Sequence, residues 1–206
     1  MRIAIFGGTF DPVHSAHIEI ARAARQRFSL DRVLLIPAGN PPHKSGHTAA
    51  AYPHRLRMVE LAVAGEAGLE ASDLEAGNER SYSIHTIGRI RAQLEPEDRL
   101  FFLIGADAFA EIQTWHRWRE VLQLVEFIVV SRPGAAYPIL NGARVHRIDD
   151  LEFPVSSSGI RQTLAAGSTP PHLPPAVLDY IREFRLYQGD TPPGGGAGPH
   201  PECPRN

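Results

Sequence analysis

Ile3-Ala4-Ile5-Phe6-Gly7-Gly8-Thr9-Phe10-Asp11-Pro12-Val13-His14-Ser15-Ala16-His17 reads as a buried strand, a tight glycine turn and the first turn of a helix. Glycines let a ligand approach the backbone, and the helix start offers unpaired N–H groups and the positive end of its dipole, so the run suits an anion. His14 and His17 are three residues apart and would share one helix face, where two imidazoles can donate to one phosphate without permanent charge. The plain alternative is a solvated pair of surface histidines.

Outward from this run, Ile18 to Phe28 has helical periodicity, and Arg32-Val33-Leu34-Leu35-Ile36-Pro37 is an apolar strand closed by proline. Strand, helix and continuously apolar strand form a βαβ unit, hence a parallel sheet with a right-handed crossover. Tyr52 to Ala64 is a further helix, with Leu56, Val59, Leu61 and Val63 inward and Arg55 and Arg57 as polar neighbours. Leu69 to Glu75 is a short strand, and Ser81 or Ser83 caps a helix running to about Leu94. Arg99 to Ile104 is the clearest central strand, stopped by Gly105, and Glu126 to Ser131 and Arg144 to Ile148 follow as strands. Asp107, at the strand's carboxyl edge, is placed to cap Ala108 to Ile112, to accept from ribose hydroxyls, or both. Trp115 and Trp118 stand three apart on a helix, a spacing that usually marks core; Ser156 to Ser158 open another helix with Arg161 one turn inside; and Pro174 to Tyr187 is the last amphipathic helix, with Val177, Leu178, Ile181 and Phe184 on one face. The expected fold is α/β: a Rossmann-like, doubly wound, mainly parallel sheet in a single domain (residues 1–188), followed by a Gly/Pro-rich tail (189–206) expected to be disordered.

Composition narrows the function. The chain has 206 residues, 43% hydrophobic and 21% charged, with a net charge of -2, so it lacks the basic excess that general nucleic-acid binding requires. Its one cysteine, Cys203, allows neither an internal disulfide nor a cysteine metal cluster. No signal-like leader and no membrane-length apolar run is found, so a cytoplasmic protein is expected. Lys44 is the only lysine. It is either a compact ammonium kept to reach a phosphate from the loop after the second strand, or a chance survivor among arginines. Neither a Walker A sequence nor a complete GxGxxG is present.

The run Gly7 to His17 resembles the nucleotidyltransferase signature with its His-x-Gly-His core, in the form carried by bacterial nicotinate-mononucleotide adenylyltransferases. Ala16 stands in place of the usual glycine, which an ordinary helical backbone would accept. Six later runs resemble the same family: Pro41-Pro42-His43-Lys44, the substrate-phosphate loop; Ser81-Tyr82-Ser83-Ile84-His85-Thr86-Ile87, with Ser83 for threonine and His85 for aspartate; Gly105-Ala106-Asp107 with Thr114-Trp115-His116-Arg117-Trp118, then Ser131-Arg132-Pro133-Gly134; and Val155-Ser156-Ser157-Ser158-Gly159-Ile160-Arg161, the second signature. The resemblance covers about the first 187 residues.

It implies adenylyl transfer from ATP to nicotinate mononucleotide, with ATP as substrate and Mg2+ as its companion ion, held by phosphates rather than a protein metal site. His14, His17, Lys44 and Arg161 would carry catalysis. Gly7, Gly8, Thr9, Phe10, Gly105, Asp107, Ser156, Ser157, Ser158 and Ile160 would bind the nucleotide. His43, Tyr82, Ser83, Trp115 and Arg132 would bind the second substrate, with Trp115 stacked on the pyridine ring and Trp118 in the core. Partners are small molecules, with no nucleic acid and no membrane; oligomeric state is left open. The competing readings are another small-substrate nucleotidyltransferase, taking phosphopantetheine or nicotinamide mononucleotide, a class I aminoacyl-tRNA synthetase, for which the chain is short, and a non-catalytic nucleotide-binding protein.

Overall fold

Alternate residues of every central strand feed different cores, which is what a parallel sheet covered on both faces requires. In the computed structural model, which describes residues 1–40, 48–77, 80–132 and 137–188, β1 (Arg2–Gly8) directs Ala4 and Phe6 to one core and Ile3 and Ile5 to the other. β2 (Arg32–Pro37) and β4 (Arg99–Gly105) divide in the same way, Leu35, Phe101 and Leu103 against Ile36, Phe102 and Ile104. The first core is closed by α1 (Ser15–Arg27), α2 (Tyr52–Val63) and α7 (Pro175–Glu183), through Ile18, Met58, Val59, Val177 and Ile181. The second is closed by α3 (Ser83–Arg91), α4 (Ala106–Ala110) and α5 (Trp118–Leu124), through Ile84, Ile87, Phe109 and Val121.

With β3 (Leu69–Ala71), β5 (Glu126–Val130) and β6 (Val145–Ile148), the sheet has six strands in the order β3-β2-β1-β4-β5-β6, every pair parallel. This is the doubly wound order. The chain leaves β1 in opposite directions toward β2 and β4, so a crevice opens between their carboxyl ends, where such sheets bind ligands. α6 (Ser157–Ala165) approaches that edge from the far end of the chain.

Several boundaries differ from expectation. Gly7 and Gly8 are not a turn; they remain in β1, in register with Ile36 and Pro37. The turn is the following loop, and His14 is the N-cap of α1 rather than part of its first turn. β3 ends at Ala71 and α3 at Arg91. Neither serine caps α3: its N-cap is Tyr82, Ser83 is its first residue, and the Ser81 hydroxyl accepts from the Asn40 N–H at 3.0 Å. Gly105, not Asp107, is the N-cap of α4. Trp115 and Trp118 do not share a helix, because Arg117 at φ 55° breaks the chain between a 3-10 turn (Ile112–Thr114) and α5. α7 stops at Glu183, leaving Phe184 47% exposed rather than in the core. Pro133, Gly134 and the tail 189–206 lie outside the described residues.

Candidate active site

The loop after β1 has few backbone partners of its own kind, so its conformation is set by side chains from elsewhere. Phe10, at φ 47°, turns its ring inward, where it meets Phe6 at 5.6 Å and His17 at 5.0 Å between ring centres. A Cβ on Gly8 would stand 3.0 Å from the Phe10 ring, so the glycine makes room for this buttress. Phe10 is thus a buried wall behind His17.

His14 and His17 stack, with ring centres 3.8 Å apart. The His14 N–H donates to Nδ1 of His17 at 3.2 Å. That bond fixes the tautomer: Nδ1 accepts, so the ring proton sits on Nε2 and remains available to a ligand. Burial, and then nearby His172, push His14 down to about 4. Burial, then His14, hold His17 well below the ordinary imidazole value. Both rings are therefore neutral at physiological pH, as two stacked imidazoles in a crevice must be to avoid mutual repulsion. His14 Nδ1 is buried without a hydrogen-bond partner among the described residues. The Ser15 N–H is not free for an anion, since it donates to the His172 carbonyl at 2.8 Å. Ala16 lies in regular helix and lines the crevice, so its methyl needs no special backbone.

The second signature arrives at the same place. Ser156 caps α6, its hydroxyl accepting from the Gly159 N–H at 3.2 Å. The Ser157 hydroxyl donates to the Pro12 carbonyl at 2.9 Å, and Arg161 donates to the Asp11 carbonyl at 2.7 Å. Imidazoles and guanidinium share one crevice of about 690 Å³, lined also by Gly105, Asp107, Arg132, Ser156 and Ser158. A Cβ on Gly105 would meet nothing within 4 Å, which leaves that edge open for a ligand to approach the backbone. Ser157 has spent its hydroxyl proton on Pro12, so Ser158, 3.1 Å from Ser156, carries the freer hydroxyl. Ile160 is buried and its N–H donates to the Ser156 carbonyl, so it supports the helix start.

A second cluster forms on the other face of the sheet. Tyr82 stacks on His116 at 4.6 Å, and Trp115 meets Phe102 of β4 edge-on at 5.5 Å. Trp115 and Trp118 are both partly buried against the core of that face. Arg132 lines the imidazole crevice and not this aromatic cluster. Gly7, Gly8 and Thr9 form the strand end and loop beneath; His43 and Lys44 lie outside the described residues.

A family model described as cytidylyltransferase-like matches residues 5–163. A probable nicotinate-nucleotide adenylyltransferase of Solibacter usitatus (strain Ellin6076) is 60% identical over 187 residues, spanning 91% of this chain and 100% of that protein. The chain belongs to the nicotinate-nucleotide adenylyltransferase family. A second probable member, from Citrifermentans bemidjiense (strain ATCC BAA-1014 / DSM 16622 / JCM 12645 / Bem), is 39% identical across 91% of this chain and 98% of its own length. The fold agrees with that of Plasmodium falciparum nicotinic acid mononucleotide adenylyltransferase complexed with NaAD, at TM-score 0.72 and 19% identity over 90% of this chain and 97% of that one. The same protein complexed with APC also gives 0.72.

Three residues of this family member escaped the sequence reading. Arg55, taken for a polar neighbour, is 1% exposed; it donates to the carbonyls of Thr9 at 2.8 Å, Ala50 at 3.1 Å and Gly39 at 3.5 Å. A signal was there: Arg55 falls on the helical stripe of Met58, Val59 and Ala62. Asp11, 5% exposed, accepts from the N–H groups of Ala49 and Ala50 and from the Tyr187 hydroxyl. Nothing in the sequence around Tyr187 marked it.

Proposed function

We propose that the chain joins ATP and nicotinate mononucleotide into nicotinate adenine dinucleotide, releasing pyrophosphate. The observation that carries this is the meeting of two neutral imidazoles and the Arg161 guanidinium in a single crevice at the β1/β4 divergence. A phosphate oxygen of the mononucleotide attacks the α-phosphorus of ATP, and the bond from that phosphorus to the bridging oxygen of pyrophosphate breaks. The attacking phosphate has its second pKa near roughly 6, so it is largely dianionic at neutral pH and needs no general base. What the protein supplies is alignment and donors for charge on the transferring phosphoryl group.

In this reading His17 Nε2–H and His14 hold the α- and β-phosphate oxygens, and Arg161 with the α6 start neutralises the leaving pyrophosphate. Gly105 and Asp107 receive the adenosine. Trp115, Tyr82 and Ser83 receive the pyridine side, and His43 and Lys44 the mononucleotide phosphate, by resemblance to the family. Arg132 lines the nucleotide crevice and is assigned to the phosphates there.

Mg2+ is expected to enter with ATP. The described residues hold no group of three or more His, Cys, Asp or Glu fit for a metal. This hard cation favours phosphate and water oxygens over imidazole, so Asp107, the one carboxylate among the described residues of the crevice, would face the chelate, whose charge the ion would neutralise. The same reading places the enzyme in the cytoplasm with its ATP. No helix among the described residues is long and apolar enough to cross a membrane.

The test is purified protein with ATP, Mg2+ and the acid or amide mononucleotide in parallel, scoring pyrophosphate. Faster release with the acid is expected. No release with either overturns the proposal, and preference for the amide reassigns the second substrate.

A further inference from the structure

Asp11 is the point at which four separate parts of the chain meet. Its side chain accepts from the Ala49 N–H at 2.7 Å and, through its other oxygen, from the Ala50 N–H at 3.1 Å and the Tyr187 hydroxyl at 2.6 Å. Its backbone carbonyl accepts from Arg161 at 2.7 Å. Of these partners the tyrosine is the least expected. It lies 176 residues away in sequence, beyond the last helix, and holds φ 61°, a region that aromatic residues rarely adopt. Burial first, and then the adjacent carboxylate, keep its proton in place, so it acts as a donor. A residue held in unfavourable backbone geometry to deliver one hydroxyl to one buried carboxylate is a candidate for a role beyond packing.

We propose that Tyr187 is a positioning residue for adenylyl transfer: its hydroxyl fixes Asp11, and through Asp11 it sets the imidazoles of the first signature against the guanidinium of the second. The route is short. Asp11 and Pro12 are the two residues whose carbonyls receive Arg161 and Ser157, and His14 follows two residues after Pro12. Any rotation of the Asp11 peptide therefore shifts His14 and His17 relative to Arg161, across the space where the α-phosphorus would lie. Two backbone N–H bonds remain to Asp11 without Tyr187, so the loop stays folded while its register loosens. Misplacements on that scale act on the transition state more than on ground-state binding.

The inference rests on the adenylyl-transfer reading, and the experiment separates the two. Wild type, Tyr187→Phe, Asp11→Asn and the double variant are assayed for pyrophosphate release, with kcat taken per ATP-binding site counted by calorimetry so that unfolded protein does not pass for slow protein. Tyr187→Phe is expected to lower kcat about tenfold, with both KM values and the ATP dissociation constant held within about twofold, a split that a merely structural loss would not produce. In the Asp11→Asn background the same change is expected to add little, because the acceptor it acts through is already altered. An unchanged kcat per site, or an equal drop in both backgrounds, overturns the role of Tyr187 while leaving the reaction intact. A wild type that releases no pyrophosphate overturns both.

Discussion

At the scale of single residues, the histidine pair illustrates how one side chain serves the fold and the chemistry through different atoms. His17 accepts the His14 N–H with Nδ1 and keeps Nε2–H for a ligand. Asparagine reproduces an acceptor near the Nδ1 position but ends short of Nε2. His17→Asn is therefore expected to leave the melting temperature nearly unchanged while lowering kcat on the order of 10²-fold, the loss typical of one transition-state donor; His17→Ala should lower both. The same burial predicts acid sensitivity. Unfolded imidazoles take up protons below about pH 6.5, whereas native His14 does so only near 4 and His17 also well below its ordinary value. Below about 6.5 the unfolded state binds more protons, so stability falls with pH, by roughly 1.4 kcal/mol per pH unit per imidazole once the window is entered. Thermal melts from about pH 7.5 down to 5 should show this slope, and His17→Asn should reduce it. Gly105 gives the converse case. Its ordinary φ of -73° and empty Cβ position admit alanine without strain, so Gly105→Ala should raise stability slightly, by about 0.5 kcal/mol. The added methyl at the crevice should raise KM for ATP several-fold.

At the scale of elements, what the sequence disclosed and what it hid divide along a physical line. β1, β2, β4 and β5 were legible because strands buried on both faces are apolar throughout, α1 because helical periodicity runs from Ile18 to Phe28, and α6 because a serine run opens the second signature. What escaped is decided by distant partners. Gly7 and Gly8 stay in β1 because β2 supplies their ladder partners. The Trp115–Trp118 helix fails because the chain must turn at Arg117 to present Trp115 to Phe102. Arg55 reads as a surface arginine, yet the carbonyls it satisfies come from the ends of three different segments. It joins the loop after β1, the chain after β2 and the start of α2, and no window of local sequence contains all three. Arg55→Met should therefore leave those buried carbonyls unpaired and cost about 3 kcal/mol or more. For a chain of this length that is a fall in melting temperature of roughly 6 to 12 °C. Arg55→Lys should recover little, since an ammonium lacks the planar fork that reaches in three directions.

At the scale of the whole molecule, the two signatures sit at opposite ends of the chain, and the doubly wound order makes them neighbours. Residues 7–17 leave the central strand on one side; residues 156–161 arrive after the sheet has been completed out to β6. Only two hydrogen bonds among those described, Ser157 to Pro12 and Arg161 to Asp11, join the signatures directly. A triphosphate lying between the imidazoles and α6 would add contacts to both, so nucleotide binding should brace two segments whose direct bonds span 145 and 150 residues of sequence. Binding to the folded state alone contributes about 2.7 kcal/mol when ligand is at 100 times its dissociation constant, which for a chain of this size is a rise in melting temperature of roughly 5 to 10 °C. A non-hydrolysable ATP analogue should produce that rise in wild type. Arg161→Ala should remove most of it, because the second signature then grips through the uncharged α6 start alone, whereas Trp115→Ala, on the far face of the sheet, should leave it intact. A rise that survives Arg161→Ala and vanishes with Trp115→Ala would place the triphosphate on the wrong face.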